Sequence, residues 1–179
     1  MKGTLRVLTA VVGLVLTSEA VAGSARIVWR KWTEGVGLGR QVRRPLLVYF
    51  HKPACPYCER MDAVTFSDAA IQKVVQRCFV PVRVESFNPA PFAGPGGERV
   101  SGVQLRDRYR VVTFPTIVVL DYRDLEKEYM RIPGYVGPKG FMELLAYITR
   151  GWYGEMSFDL YLEHLLNKTL PTRAATAPC

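Results

Sequence analysis

Two cysteines separated by two residues, in the sequence Cys55-Pro56-Tyr57-Cys58, are the residues of this 179-residue chain best suited to chemistry. Pro56 stands where the first turn of a helix tolerates proline, so the motif predicts a helix that begins there. Backbone N–H groups without partners and the positive end of the helix dipole then face Cys55 and favour its thiolate. We predict that Cys55 is the nucleophile toward a substrate disulfide and that Cys58 is the thiol that resolves the mixed disulfide.

Basic residues surround this motif and leave other roles open. His51, Lys52 and Arg60 are close enough in sequence to favour a thiolate further. Cys55, Cys58 and His51 would also make a plausible ligand set for copper(I) or zinc. A static disulfide with no activity is a further alternative. The sequence favours the redox role, and we expect no bound metal.

Two continuous apolar runs predict the buried strands that must position the cysteines. Residues 46–50 precede the motif, and residues 116–120 follow Phe114-Pro115. Runs of this kind are typical of strands buried on both faces. Other patterns predict two further strands, at 79–84 and 126–132, and helices that begin at the motif and at Ser67, cover 104–109 and 141–150, and follow Ser157.

The other two cysteines differ in position. Cys78 falls on the buried face of a predicted helix with Ile71, Val74 and Val75, because these residues are spaced three or four apart. We therefore place Cys78 in the core. Cys179, the last residue, could be free, pair with Cys78 or link to a partner.

The amino-terminal 22 residues have the features of a secretory signal peptide. Lys2 and Arg6 form a basic region, residues 5–16 are almost all apolar, and Ala20-Val21-Ala22 is a small-x-small cleavage pattern. An uncleaved anchor is the weaker interpretation, because the apolar stretch is shorter than the roughly 20 residues that span a bilayer. We expect a periplasmic or secreted protein, in which a cysteine pair is a structural disulfide or a redox centre.

Length and composition are those of one globular domain with short extensions. Hydrophobic residues make up 49% of the chain and charged residues 22%, which excludes a wholly disordered chain or a polytopic membrane protein. The net charge of +8 is best explained by a solvated basic face, and we expect no nucleic-acid partner. We divide the chain into a signal peptide (1–22), an arm (23–44), a domain (45–150) with a Pro/Gly-rich insertion (86–102), a carboxyl-terminal helix (151–167) and a disordered tail (168–179).

The chain resembles the thioredoxin superfamily, and more closely exported thioredoxin-like proteins of the SoxW and Thioredoxin_7 type. The CxxC motif in its context 50–61 carries the resemblance, together with segment 65–68, strand 79–84, Phe114-Pro115-Thr116 and segment 132–135. The resemblance implies an α/β fold, with a central mixed sheet flanked by helices and here an extra carboxyl-terminal helix. It also implies that Pro115 is cis and lies against the motif, where Phe114 pairs with the substrate peptide as an added strand. Pro56 and Tyr57 are expected to contact substrate as well.

Two positions depart from the thioredoxin pattern. Ala54 stands where thioredoxins have tryptophan, and Tyr49 replaces the buried acid that helps to move the proton of the resolving cysteine. Lys52, Glu59 or water would have to serve that proton instead. Pro56 and Tyr57 are similar to the glutaredoxin motif, but other features of a glutathione site are missing, so we do not expect glutathione as a partner.

The resemblance implies an exported thiol–disulfide oxidoreductase that exchanges disulfides with periplasmic proteins, with reductase as the favoured direction. Its partners would be protein disulfide substrates and a membrane electron donor. The pair Cys55 and Cys58 would serve as a redox-active disulfide without any other cofactor. A disulfide-forming oxidase is one alternative, and a metallochaperone or a non-catalytic binding module of the same fold is another.

Overall fold

The computed structural model describes residues 26–171. The predicted signal peptide, most of the predicted tail, and Cys179 lie outside these residues. Among the described residues, no helix is both long and apolar enough to cross a membrane.

Helices and short strands alternate along the described part of the chain. The α-helices are α1 (Trp32–Val42), α2 (Pro56–Arg60), α3 (Ala69–Cys78), α4 (Gly102–Arg108), α5 (Pro138–Thr149) and α6 (Phe158–Leu166). A π-helical turn, Met61–Thr65, extends α2, and a 3₁₀ turn, Trp152–Gly154, links α5 to α6. The strands are β1 (Leu46–His51), β2 (Val80–Glu85), β3 (Phe92–Ala93), β4 (Arg99–Val100), β5 (Thr116–Leu120) and β6 (Glu128–Pro133).

Four of these strands form a mixed sheet in the order β2-β1-β5-β6. β1 runs parallel to β2 and antiparallel to β5, and β6 is antiparallel to β5. The register places Phe50 opposite Thr116 and His51 opposite Glu85, so the end of β1, the end of β2 and the start of β5 meet at one edge of the sheet. This is the mixed sheet flanked by helices, with a carboxyl-terminal helix added, that the resemblance implies.

The central strand β1 is covered on both faces. Leu46 through Phe50 are each 0% exposed. Leu47 and Tyr49 face one side of the sheet, where α3, α5 and α6 pack, and Val48 with its alternate neighbours faces the side of α1 and α4. Because successive side chains of a strand point to opposite faces, a strand covered on both must be apolar throughout.

Helix starts agree with the predicted positions to within a few residues. Ser157 caps α6, where its hydroxyl accepts a hydrogen bond from the Leu160 N–H. The cap of α3 is Asp68 rather than the predicted Ser67, because the Asp68 carboxylate accepts from two N–H groups of the first turn. Ser67 instead donates its hydroxyl proton to the carbonyl of Ala63, 2.7 Å away.

The amino-terminal arm is part of the folded body. Arg30 forms a parallel bridge with Val82 of β2, on the side of β2 away from β1, and α1 begins two residues later. Trp32 and Val36 of α1 are buried in the core on the face of the sheet that α1 and α4 cover. The arm thus covers a face of the sheet that would otherwise expose apolar side chains.

The insertion at 86–102 is ordered around a two-stranded hairpin, β3 with β4. It returns to the sheet at Gly102, the first residue of α4. A β-carbon built on Gly102 would lie 1.9 Å from the carbonyl oxygen of Glu85, at the end of β2. The insertion therefore closes on β2 by a backbone contact that only glycine permits.

We expect Gly102→Ala to lower the free energy of unfolding by about 1–3 kcal/mol, because backbone must move to admit a methyl group. Gly37→Ala is the matched control, since Gly37 is exposed within α1 and a β-carbon there meets nothing within 4 Å. That change should stabilise the protein by up to about 1 kcal/mol. Urea unfolding measures both, and equal effects of the two substitutions would contradict the close contact.

Candidate active site

The CxxC motif lies just beyond the buried end of β1. Ala54 has a φ of 49°, a left-handed conformation that few residues other than glycine adopt, and it turns the chain into α2. Cys55 is the N-cap of α2, and Pro56 occupies its first turn, as the sequence predicts. Cys55 and Cys58 form a disulfide with an S–S distance of 2.04 Å and a Cα–Cα distance of 5.2 Å.

The backbone of α2 points a donor at the first sulfur. The N–H of Cys58 donates to Sγ of Cys55 over 3.2 Å. A donor in this position stabilises a thiolate more than a neutral thiol, so it lowers the free energy of the nucleophilic form once the disulfide is reduced. The backbone is thus placed to stabilise a thiolate at Cys55, and the role of Cys55 as the attacking sulfur stays a prediction.

Both cysteines are nearly covered, while their neighbours are exposed. Cys55 is 3% exposed and Cys58 is 4% exposed. Lys52, Pro56 and Tyr57 are exposed, with Tyr57 at 60%. A large partner can meet the sulfurs only over a small area, and the side chains around the motif would supply most of the contact.

Phe114 and Pro115 lie at the same edge of the sheet as the motif. Thr116, the first residue of β5, pairs with Phe50 of β1, four residues before Ala54. The Phe114–Pro115 peptide bond is cis, as the resemblance implies. The Pro115 carbonyl accepts from the N–H of Gly134 over 2.7 Å, whereas the backbone of Phe114 makes no hydrogen bond within residues 26–171.

A tyrosine contacts the motif from inside the core. Tyr49 is fully buried, and its hydroxyl donates to the carbonyl oxygen of Cys58 over 3.2 Å. Burial raises the pKa of the Tyr49 phenol well above its usual range, and the nearby Asp62 carboxylate adds to that effect. Tyr49 therefore stays protonated and serves as a fixed donor to the backbone of the motif.

An arginine is stacked beside this tyrosine. The Arg83 guanidinium lies 4.9 Å from the ring centre of Trp29 and 5.0 Å from that of Tyr49, and it forms an ion pair with Asp62. Burial lowers the pKa of His51, whose ring stacks on Tyr49, and the positive charge of Arg83 lowers it further. Behind the motif, the structure thus holds a charge pair and two aromatic rings instead of a single buried acid.

The basic residues of the motif contact aromatic rings. The Lys52 ammonium lies 5.9 Å from the ring centre of Phe114, and the Arg60 guanidinium lies 4.6 Å from that of Tyr135. These cation–π contacts direct the two charges at aromatic rings. The sequence alone left their directions open.

No group of three or more cysteine, histidine or acidic side chains in residues 26–171 is arranged to hold a metal ion. Cys78 ends α3 and is 7% exposed, at the core position predicted for it. None of the described cysteines is a free thiol.

Sequence reasoning missed three residues of this site: Trp29, Asp62 and Arg83. A signal was available for Arg83, because it is the only charged residue within the apolar run 79–84, and a strand parallel to β1 would bring it beside Tyr49. Register pairs it with Tyr49 across β1 and β2. For Trp29 and Asp62, the sequence carries no such signal, since their contacts are made between distant segments.

The family of the chain follows from comparison with known proteins. A family profile described as a thioredoxin-like domain matches residues 39–149, more than half of the chain. The chain therefore belongs to the thioredoxin-like domain family. A comparison with curated proteins gives no match.

Solved structures share the fold. A thioredoxin from Thermus thermophilus is 27% identical, with a TM-score of 0.56, over 69% of this chain and 87% of that chain. A thioredoxin-fold protein from Helicobacter pylori is 21% identical, with a TM-score of 0.59, over 83% and 92% of the two chains. The DsbH oxidoreductase is 18% identical, with a TM-score of 0.57, over 74% and 91%. The last two likenesses show the fold alone.

We expect Tyr49→Phe to lower the free energy of unfolding of the oxidised protein by about 1 kcal/mol, because the Cys58 carbonyl loses its buried donor. Tyr57→Phe removes a hydroxyl from an exposed ring and should leave stability within about 0.5 kcal/mol of wild type. Denaturant unfolding monitored by circular dichroism compares the two. An unchanged stability of Tyr49→Phe would show that the hydrogen bond contributes nothing to the fold.

Proposed function

We propose that this protein is an exported thiol–disulfide oxidoreductase of the SoxW and Thioredoxin_7 type, which acts on protein disulfides as a reductase. The observation that carries the proposal is the Cys55–Cys58 disulfide at the start of α2, with the Cys58 N–H directed at Sγ of Cys55. Membership of the thioredoxin-like domain family supports the same chemistry. Export rests on the leader-like sequence at 1–22.

The reaction consists of two exchanges. The Cys55 thiolate attacks one sulfur of the substrate disulfide, forms a mixed disulfide, and releases the other substrate sulfur as a thiolate that takes a proton from water. Cys58 loses its proton to water and attacks Sγ of Cys55, which releases the second substrate sulfur. The substrate gains two electrons, and Cys55 and Cys58 become a disulfide. A dithiol donor, which we propose is a membrane protein, returns the two electrons by the same exchange in reverse.

Substrate binding is proposed at Phe114 and Pro115, with further contacts from the exposed Pro56 and Tyr57 of the motif. The Phe114 backbone has no hydrogen-bond partner within residues 26–171, so its N–H and C=O can pair with an extended substrate segment. Pairing of this kind would hold the substrate disulfide against the exposed edge of the motif. Tyr57, at 60% exposure, adds an apolar surface there.

Tyr49 and the Asp62–Arg83 pair hold the resolving half of the motif. The hydroxyl of Tyr49 fixes the carbonyl of Cys58, and Arg83 fixes the ring of Tyr49 by stacking on it. This support keeps Cys58 in reach of Cys55 while the mixed disulfide exists. We propose water as the acceptor of the Cys58 proton, since the Lys52 ammonium is held at the ring of Phe114, and the exposed Glu59 carboxylate is the remaining alternative.

A variant whose disulfide exchange stops at the mixed disulfide tests the proposal. Reduced wild-type protein should reduce the disulfides of insulin, and Cys58→Ser should stop at a covalent complex with insulin that dithiothreitol cleaves. Cys55→Ser should give neither product, because it lacks the attacking thiolate. Mass spectrometry without reductant identifies the complex. Wild-type activity in Cys55→Ser would exclude this mechanism.

The direction of electron flow is tested by the redox equilibrium of the cysteine pair. In mixtures of reduced and oxidised glutathione, we expect the Cys55–Cys58 disulfide to persist until the mixture is strongly reducing, since a reductase needs a potential below that of its substrates. Trapping of free thiols at each ratio, followed by mass measurement, reports the oxidised fraction. The double variant Cys55→Ser, Cys58→Ser gives the background. A pair that is reduced in mildly reducing mixtures would instead indicate the oxidase.

A further inference from the structure

Two phenylalanines and two cations form a continuous row beside the CxxC motif. The ring centres of Phe87 and Phe114 are 5.6 Å apart. The Arg106 guanidinium lies 4.9 Å from the centre of the Phe87 ring, and the Lys52 ammonium lies 5.9 Å from that of Phe114. We call Lys52, Phe114, Phe87 and Arg106 the aromatic row.

The root of the insertion fixes the aromatic row at the sheet edge. Phe87 is the second residue of the 86–102 insertion, and backbone bonds hold the residues on both sides of it. The N–H of Ser86 donates to the carbonyl of His51 over 2.9 Å, and the N–H of Asn88 donates to the carbonyl of Glu85 over 3.2 Å. These bonds tie Phe87 to His51, which ends β1 and directly precedes Lys52.

The side chain of Phe87 leaves a large apolar surface exposed to water. Its side chain is 49% exposed, although the ring is ordered between Phe114 and Arg106. A preorganised aromatic surface gains free energy when a ligand covers it, because the apolar area leaves water without loss of side-chain freedom. Phe87 is thus suited to receive an apolar side chain next to the substrate strand proposed at Phe114.

The charges of the aromatic row are not equivalent. Arg106 forms an ion pair with Asp107 at 2.7 Å, so its charge is already compensated. Lys52 is exposed and forms no ion pair with any carboxylate of residues 26–171. A partner with a carboxylate near Lys52 would compensate the positive charge at this end of the aromatic row.

We propose that the aromatic row selects the protein disulfides that this enzyme reduces. It binds an extended substrate segment that places a large apolar side chain on Phe87 and Phe114 and an acidic side chain at Lys52. The inference rests on the proposed function and names the substrate class of the same site. It gives the insertion at 86–102 a role, because the insertion supplies Phe87.

Four synthetic cyclic peptides with one disulfide each test this selectivity. Beside one cysteine they carry leucine or serine, and two positions further on, where the side chain lies on the same face of an extended segment, aspartate or asparagine. Reduced wild-type protein is mixed with each peptide, and the second-order rate constant of the exchange is measured by quenching and chromatography. Hydroxyethyl disulfide, which carries neither a large apolar side chain nor a carboxylate, measures the basal reactivity of Cys55.

We expect the peptide with leucine and aspartate to react fastest with wild-type protein. Phe87→Ala should lower the preference for leucine over serine by about 3- to 10-fold, the range of an aromatic contact. Lys52→Gln should lower the preference for aspartate over asparagine by about 2- to 5-fold, the range of an exposed ion pair, and Lys52→Arg should retain it. Phe87→Ala should leave the rate with hydroxyethyl disulfide unchanged. Because Lys52 is close enough in sequence to favour the Cys55 thiolate, its variants are compared by the ratio of their rates with the aspartate and asparagine peptides.

Matched controls are Leu166→Ala on α6 and Lys73→Gln on α3. Leu166 is 82% exposed and Lys73 is exposed, so each of these substitutions removes a similar side chain from a different surface of the protein. Both should keep the wild-type preferences. Equal rates of wild-type protein with all four peptides, or unchanged preferences in Phe87→Ala and Lys52→Gln, would overturn the proposed selectivity while leaving the redox function intact. Failure to react with hydroxyethyl disulfide would instead overturn the redox function.

Discussion

The burial of β1 on both faces is the constraint on which the rest of the structure depends. Leu46 through Phe50 expose no surface, so neighbouring strands must pair with β1 on both sides and helices must cover both of its faces. A strand held in this way has a fixed end. The chain leaves it at His51 and reaches Cys55 four residues later, so the position of the disulfide follows from the position of the strand.

The neighbours of β1 bring the remaining parts of the site to that end. The parallel strand β2 places Arg83 beside Tyr49, and its end carries Phe87 to the edge of the sheet. The antiparallel strand β5 begins at the same edge and places Phe114 next to Phe87. One sheet register therefore decides both the support behind the sulfurs and the surface in front of them.

The support behind the sulfurs shows how a charged group is kept near the core. The Arg83 guanidinium lies over the rings of Trp29 and Tyr49, which contact each other, and it is paired with Asp62, which compensates its charge. Tyr49 stays neutral because burial opposes its ionisation. The backbone of Cys58 is thus held by a hydrogen bond from a neutral phenol.

The sequence by itself determined the CxxC motif, its place at a helix start and both buried strands, because these follow from local spacing and apolar periodicity. The α/β class came from the resemblance, which also pointed to Phe114 and Pro115. Only the tertiary structure decided that Trp29, Asp62 and Arg83 meet Tyr49, and that Phe87 of a Pro/Gly-rich insertion lies against Phe114. These contacts join residues far apart in sequence. They are set by the register of the strands and by the contact of the insertion with β2, and neither leaves a periodic signal in the sequence.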